Sequence, residues 1–459
     1  MPNKDKLTDY SSTNASNTDV GGVNIDEGML PSSVNNAIRE VLTHLKNFAS
    51  GTDGIDVLSL ADDDASAAMK IQAPASVTAD TTLTLPDGDG NENQTLVTDG
   101  SGTLSWKDLY YTSNNLLTNG SFQIAQRGTS STSGGFQTVD RWKTERSGGV
   151  TQSQENLTSS DTPYGYGFRK ALKLTNTANS NLAGDYVQIA QPIEAQNIAN
   201  SGWDYTSSTS YVTLQFWVKS SLAGTYSGLF LSKDGTQKSH SFEFTLVADT
   251  WKKVTYTLAG DSSVTIDNNN ESGLEVFIVP HYNTSYTTSG HTDEAWQTYS
   301  ATDITGDYAQ NWKNTSNATF FVTGIQLTVG DVDLPFIHES YAETLTKCQR
   351  YYHKVQGTST YQRFGFGMIA SGNARFQYQF PVEMRAVPTV EDSGTSAHYG
   401  VYNYTTVKTA TSGIGHNTAG SGLSSVNLYV SASGLTNGDP CAVLANATTS
   451  AFLAFNAEL

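Results

Sequence analysis

Three periodicities follow one another along this chain. Over residues 1–30 no period is visible: the opening MPNKDKLTDYSSTNASNTDV is almost wholly polar, which predicts an extended arm. Pro31 and the Ser32-Ser33 pair then give helix-start signals. Val34, Ile38, Val41, Leu45 and Phe48 follow at spacings of 4, 3, 4 and 3, the seam of a short coiled coil over 31–50. Two heptads do not hold an isolated helix in water. The flanking polar arm and Gly-Thr-Asp-Gly stretch offer nothing to pack against. Those five side chains are therefore expected to meet helices of other copies. β-branched Ile38 does not choose between two strands and three.

After the helix the period drops to two. Strand-like pieces occur at 73–77, 81–85, 94–98 and 104–106. Leu83 and Leu85 alternate with threonines, Leu104 and Trp106 stand two apart, and Asp99-Gly100 marks a turn. The stretch 51–113 is too thin in apolar residues to fold alone, so its stripes need other chains to bury them. Three interleaved copies around an axis would do so, with Leu83 and Leu85 at the interface. From 114 to 339 longer alternating runs, such as Leu214-Gln215-Phe216-Trp217-Val218-Lys219, sit between frequent turns and predict a β-sandwich. A helix is expected from Tyr341 to Lys354, within a linker at 340–354. Strand patterns resume over 355–459 and reach Leu459, as for a paired, buried end.

Several strings along these elements resemble known modules. The run from Ala73 to Trp106 resembles a shaft element of tailed-phage tail fibres, and NIDEGMLPSSVNNAIREVLTHLKNF, at 24–48, resembles the helix that precedes it there. Gln126-Arg127-Gly128 and Asp140-Arg141-Trp142 are similar to signatures of jelly-roll modules related to carbohydrate-binding modules, which also occur in phage fibres. LPFIHESYAETLTKCQRYYHKV, at 334–355, resembles the linker after such a module. FPVEMRAVPTV, at 380–390, with the terminal Ala457-Glu458-Leu459, resembles the fibre head. The resemblance implies a mainly β, homotrimeric receptor-binding fibre: short N-terminal coiled coil, thin β shaft, jelly-roll β-sandwich and C-terminal β-sandwich head. It further implies a virion location, docking of the N-terminus on tail or portal-adaptor proteins, and a host surface glycan as ligand.

Composition narrows this picture. Charged residues are 15% of the chain and there are 23 tyrosines, which suits β-strands with hydroxyl- and amide-rich surfaces. A net charge of −18 argues against nucleic acid, whose binding needs clustered cations, and against anionic lipid. The N-terminus shows no apolar signal segment and no run spans a bilayer. The expectation is synthesis in the host cytoplasm without membrane insertion. Cys348 and Cys441 have no metal-type spacing and read as free thiols, with a single disulfide as the alternative.

No GxSxG, Walker, HExxH or CxxC pattern is present. The acid pairs Asp293-Glu294 and Glu391-Asp392 point to opposite faces if in strands, so neither converges as a glycosidase pair. The chain is thus expected to bind rather than catalyse. Aromatic rings suit the C–H faces of sugars. Tyr282, Trp296 and Trp312 lie in the turn-rich region 281–313, and His398, Tyr399, Tyr402 and Tyr404 lie in a tyrosine-dense loop. These seven are the ligand-binding candidates. Trp142, Phe216, Trp217 and Trp251 fall in strand patterns and read as core. Modules of the resembled type often carry a structural Ca2+ near the first strand, but no DxDxDG run is present to assign its ligands.

Overall fold

The computed structural model describes all residues except 1–3, 51, 53–56, 62–67, 73–75, 77–81, 91–93, 109–113 and 309. It divides into two compact units, 1–92 with 96–106, and 93–95 with 107–459. The strand expected at 73–77 falls, apart from Ser76, outside the described residues.

In the first unit the expected extended arm is folded. Strands β1 (Asp19–Val20) and β2 (Val23–Asn24) form a small antiparallel hairpin against helix α1 (Pro31–Ala49). Val20 and Ala37 are buried, and the Tyr10 hydroxyl meets His44 Nδ1 at 2.8 Å. The sequence hides this because the few apolar anchors, such as Val20, Ile25 and Met29, are scattered without period. The seam itself is open in the single chain: Val34, Ile38, Val41, Leu45 and Phe48 are 39–54% exposed. Beyond the helix, β3 (Val57–Ala61) pairs with β4 (Ala68–Gln72), and β5 (Gln94–Thr98) with β6 (Leu104–Asp108). The Asp99 carboxylate accepts from Ser101 N, Ser101 Oγ and Thr103 N, which closes the last turn and holds its pKa down at about 2. Leu83 and Leu85 are well exposed.

The second unit begins with a two-layer sandwich. Its strands are β7 (Ser130–Ser131), β8 (Lys143–Arg146), β9 (Val150–Asn156), β10 (Lys170–Asn176), β11 (Tyr186–Glu194), β12 (Tyr211–Ser220), β13 (Gly224–Ser232), β14 (Lys238–Leu246), β15 (Lys252–Ala259), β16 (Ser272–Tyr282), β17 (Gln297–Thr298) and β18 (Thr319–Val329). A short helix α2 (Ala195–Ala199) follows β11. Among the described residues they form two six-stranded sheets, in the orders β15-β12-β18-β10-β9-β7 and β17-β14-β13-β16-β11-β8. The period of two supplies the core: Val212, Leu214, Phe216 and Val218 of β12 face Phe230 of β13, Phe242 of β14 and Ile278 of β16. Trp142 and Phe216 are core, as the strand patterns predict. A Cβ on Gly228 would lie 2.1 Å from the Phe242 ring, so that strand must leave the position bare for the ring to fill it.

Helix α3 (Tyr341–Gln349) opens with a capping box: Glu343 N donates to Ser340 Oγ, and Ser340 N to Glu343 Oε2. It stops five residues short of the expected Lys354. Tyr352 instead begins β19 (Tyr352–Gln356), because its backbone pairs with the terminal strand at Asn456. The remaining strands are β20 (Arg363–Ala370), β21 (Asn373–Gln379), β22 (Thr389–Asp392), β23 (Tyr399–Tyr402), β24 (Val407–Thr409), β25 (Gly415–Asn417), β26 (Ser425–Ser431), β27 (Pro440–Ala445) and β28 (Phe452–Asn456). Sheets ordered β24-β23-β27-β20-β21-β26-β25 and β19-β28-β22 pack through Phe376, Leu428, Val443, Leu453 and Phe455. Both cysteines are buried free thiols.

A buried polar junction joins this head to the sandwich. Glu458 accepts from Arg127 Nη1 at 3.2 Å and from Arg141 Nη1. The two guanidiniums lie over the rings of Tyr352 and Tyr351, each 3.5 Å from the centroid. Arg385 donates to the carbonyls of Ala457 (2.8 Å), Glu458 (3.1 Å) and Asn270 (3.0 Å). Glu194 receives Arg350 through two bonds of 2.7 Å and the Tyr351 hydroxyl at 2.5 Å. Gln126 Nε2 donates to the Tyr352 carbonyl at 2.6 Å and to Asp140, whose carboxyl is pushed up to about 6 by burial against the opposing pull of Gln126.

Two predictions follow from these burials. Glu458→Gln leaves two buried guanidiniums without their counter-charge and is expected to cost about 3 kcal/mol of stability, read as a lowered urea midpoint with an unchanged slope. Unchanged stability would mean the junction carries no load.

His240, His281 and His353 are held neutral by burial, each down at about 4, whereas an unfolded histidine titrates near about 6.5. The unfolded chain takes up three extra protons as pH falls from about 6.5 to about 4, so these groups withdraw stability across that window. Asp140 acts in the opposite direction between about 6 and 4, as one proton against three. Thermal unfolding followed from pH 7 to 4 should show the loss, and His353→Gln should flatten its slope by about 1.4 kcal/mol per pH unit.

Candidate functional site

Burial divides the seven sequence candidates. Tyr282, Trp312 and Tyr399 are core residues, not surface ligands. Tyr282 packs with Leu229, Phe277 and Ile304. The Trp312 indole is fully buried and donates to the Thr319 carbonyl at 3.3 Å. The Tyr399 hydroxyl donates to the Phe452 carbonyl at 2.7 Å and accepts from Ser393 N at 2.8 Å. A ring enclosed in this way presents no face to a sugar. Trp296 is half-buried, with its indole N–H on the Ala259 carbonyl at 2.9 Å and its ring edge against His240. His398 is half-buried beside Ser393 Oγ at 3.0 Å.

The region 281–313 looks open in sequence because its aromatics are separated by polar residues. It folds back instead over the outer face of the β17-β14-β13-β16-β11-β8 sheet. Tyr286, Tyr299 and Tyr308 pack there on Leu229, Leu231 and Val279. The His291 ring is enclosed, with Nδ1 at 2.9 Å from Asp303 and Nε2 at 2.7 Å from Ser241 Oγ. This has the order of a nucleophile relay, but Ser241 is fully buried and donates to Asp293 Oδ1 at 2.5 Å. It presents no hydroxyl to a substrate and pins the loop to β14.

Tyr402 and Tyr404 are brought together at the surface of the head, with ring centroids 5.3 Å apart. Tyr404 is 51% exposed, at φ +66° in a turn where Asn403 Oδ1 accepts from Thr405 N, Thr405 Oγ1 and Thr406 N. The Arg363 guanidinium lies 5.9 Å from the Tyr402 ring and 6.0 Å from that of Phe366, which is 62% exposed.

A second aromatic surface lies on the outer face of the β15-β12-β18-β10-β9-β7 sheet. Alternation along β12 sends Phe216 and Val218 inward, and Trp217 and Lys219 outward. Register places Lys219 opposite Phe321. Tyr166 ends a 3-10 turn that Gly167, at φ +93°, terminates. Its ring rests on Trp217 at 5.0 Å and is 61% exposed. Next to it the Lys219 ammonium lies 4.9 Å from the Trp251 ring and 4.8 Å from Phe321. Asp161 accepts from Trp251 Nε1 at 2.8 Å and from Lys219 at 3.1 Å. Burial raises the Asp161 carboxyl, but these donors and Thr158 outweigh it and hold it at about 2. The ledge thus offers a ring face, a fixed carboxylate and a fixed ammonium, a set able to stack on a pyranose and bond its hydroxyls. Trp217 is buried as expected, in a cluster with Leu157, Phe168 and Ala171 on this outer face, whereas Trp251, also expected in the core, is only partly buried against it. The Lys219 that follows Trp217 at the next outward position was the available signal. Tyr166 carried none.

Among the described residues, the Asp140 carboxylate near the first strand is not free for a structural calcium ion. Both Asp140 oxygens accept from Gln126. No group of three or more His, Cys, Asp or Glu side chains gathers at metal-binding spacing among the described residues.

No protein-family profile and no curated protein matches the chain. Three solved structures are similar to part of it, each at a low score. The family 11 carbohydrate-binding module of the cellulase Lic26A-Cel5E of Clostridium thermocellum is 12% identical and covers 45% of this chain and 96% of its own, at a TM-score of 0.24. TmCBM61 in complex with β-1,4-galactotriose is 12% identical, covering 47% and 98%, at 0.23. A cyclase from Fischerella sp. is 11% identical, covering 48% and 95%, at 0.28. At these scores neither ligand nor chemistry transfers.

Proposed function

We propose that this chain is the adhesive subunit of a virion fibre: a homotrimer, docked by its N-terminal unit on tail or portal-adaptor proteins, whose β-sandwich region binds host surface glycan without cleaving it. One observation carries the glycan reading. The exposed Tyr166 ring lies on Trp217 beside the Asp161–Lys219 pair, which puts a stacking face and hydrogen-bonding charges on one rigid sheet. The open seam of α1 supports association of copies, since five apolar side chains at heptad spacing face solvent in the single chain. Three ledges on one particle would then turn weak sugar contacts into firm attachment by avidity.

A second reading, a structural appendage without receptor binding, is favoured by Phe366 and Met368. They are exposed on the outer face of the seven-stranded sheet and suit contact with a neighbouring copy, which would also occupy Tyr402 and Tyr404.

Light scattering of the full chain is expected to give three times 49.3 kDa, and Ile38→Asp with Leu45→Asp to lower it. A wild-type monomer would remove the fibre reading. In competition for virion adsorption to host cells, Tyr166→Ala should weaken the trimer at least tenfold. An aromatic contact is worth about 1 kcal/mol per site, and three sites compound it. Loss in Tyr404→Ala with Tyr166→Ala unchanged would move the site to the head. Failure of the wild-type chain itself to block adsorption would favour the structural appendage.

A further inference from the structure

A cleft of about 610 Å3 opens at the base of the sandwich, between its first residues, helix α2 and helix α3. It shares no residue with the Tyr166 ledge, and none of the seven sequence candidates lines it. Its size falls in the range of about 300–1,000 Å3 typical of small-ligand pockets.

The polar groups that line it fall into two classes. Some are consumed by the fold: Asn115 Oδ1 accepts from Leu117 N and Leu327 N, and its amide donates to the Ile325 carbonyl. Others have unspent capacity. Among the described residues, the side-chain amides of Asn114 and Asn197 have no partner. Asn200 is fixed through its Nδ2 to Gln196 O at 2.7 Å and Asn268 Oδ1 at 3.0 Å, which leaves its own Oδ1 free. Arg350 is locked by two bonds to Glu194 through Nε and Nη2, which leaves Nη1. Leu116 and Val329 supply apolar wall.

Charge decides the ligand class. The two cations of the cleft are already neutralised, Lys347 by Glu339 and Arg350 by Glu194. Among the described residues of the cleft, no unpaired cation awaits a carboxylate or phosphate. What remains is a set of amide donors and acceptors beside aliphatic surface, which matches the alternating hydroxyls and C–H bonds of a sugar ring. We infer that this cleft binds one neutral pyranose unit of a glycan, as a second saccharide site on each chain. The inference rests on the reading above only in taking the ligand to be a glycan.

The test uses the full-length protein and saturation-transfer NMR with methyl β-galactoside, methyl β-glucoside, N-acetylglucosamine and galacturonate. At least one neutral sugar should bind saturably, with a Kd on the order of millimolar. In a Tyr166→Ala background, which removes the ledge, Asn197→Trp, which fills the cleft from an exposed position on α2, should abolish that binding. Asn197→Ala should weaken it severalfold, and Tyr166→Ala should leave it within twofold. Thermal midpoints within a degree or so of wild type would exclude unfolding as the cause. The inference fails if no neutral sugar binds, if binding survives Asn197→Trp in the Tyr166→Ala background, or if galacturonate binds more than tenfold tighter than every neutral sugar. Loss of adsorption in Tyr166→Ala, with no effect of Asn197→Trp on any sugar, would overturn this cleft alone and leave the fibre reading standing.

Discussion

A carboxylate taken out of water costs several kcal/mol unless charge and hydrogen bonds replace its hydration. Glu458 meets that demand with two guanidiniums, and each of those is itself sheltered by a tyrosine ring. Neither arginine could stay buried without the acid, and the acid could not stay without them. The arrangement is directional as well as attractive. It fixes the terminal strand relative to the sandwich, and through that strand it fixes β19 and β22, which pair on either side of it. The orientation of the whole head follows from that mutual dependence.

The strings most easily noticed in the sequence converge there. Gln126-Arg127, Asp140-Arg141, Arg350-Tyr351-Tyr352, Arg385 and Glu458 all contribute to the junction. These residues are restricted because each must satisfy a buried partner, and such restriction makes a string conspicuous. The residues suited to touching a ligand are under no such demand and leave no string behind. Tyr166 sits at the end of a short turn with its ring in solvent, and any flat side chain would fit there as well. Conspicuous sequence therefore reports architecture in this protein, and the recognition surfaces have to be read from the fold.

The same reasoning explains how much was legible. The sandwich strands follow directly from alternation, as β12 and β18 show, because both of their faces are specified by neighbours. Helix α1 was legible from its heptad spacing and its Pro31 start, although its seam meets no partner in the single chain. What could not be read was closure. Tyr282 and Trp312 are flanked by polar residues that in sequence look like a surface loop, but those residues satisfy one another and β14, as His291 does with Ser241 and Asp303. Burial there depends on long-range pairing rather than local pattern. The N-terminal arm misled in the same way, since its apolar anchors find α1 only in three dimensions. The expected helix end at Lys354 failed because Tyr352–Gln356 has a strand partner about a hundred positions downstream.

The turn that carries Tyr404 differs from every other aromatic position described. Its shape comes from Asn403, whose side-chain oxygen gathers two backbone amides and a hydroxyl, and not from packing of the residues that follow. Tyr404, Thr405, Thr406 and Val407 all face solvent. Substitutions among these four positions would leave the turn's framework in place, provided the left-handed backbone at Tyr404 is respected. The molecule therefore separates what must be inherited intact from what can drift: a rigid junction that tolerates little, and a small exposed patch free to explore new contacts one residue at a time.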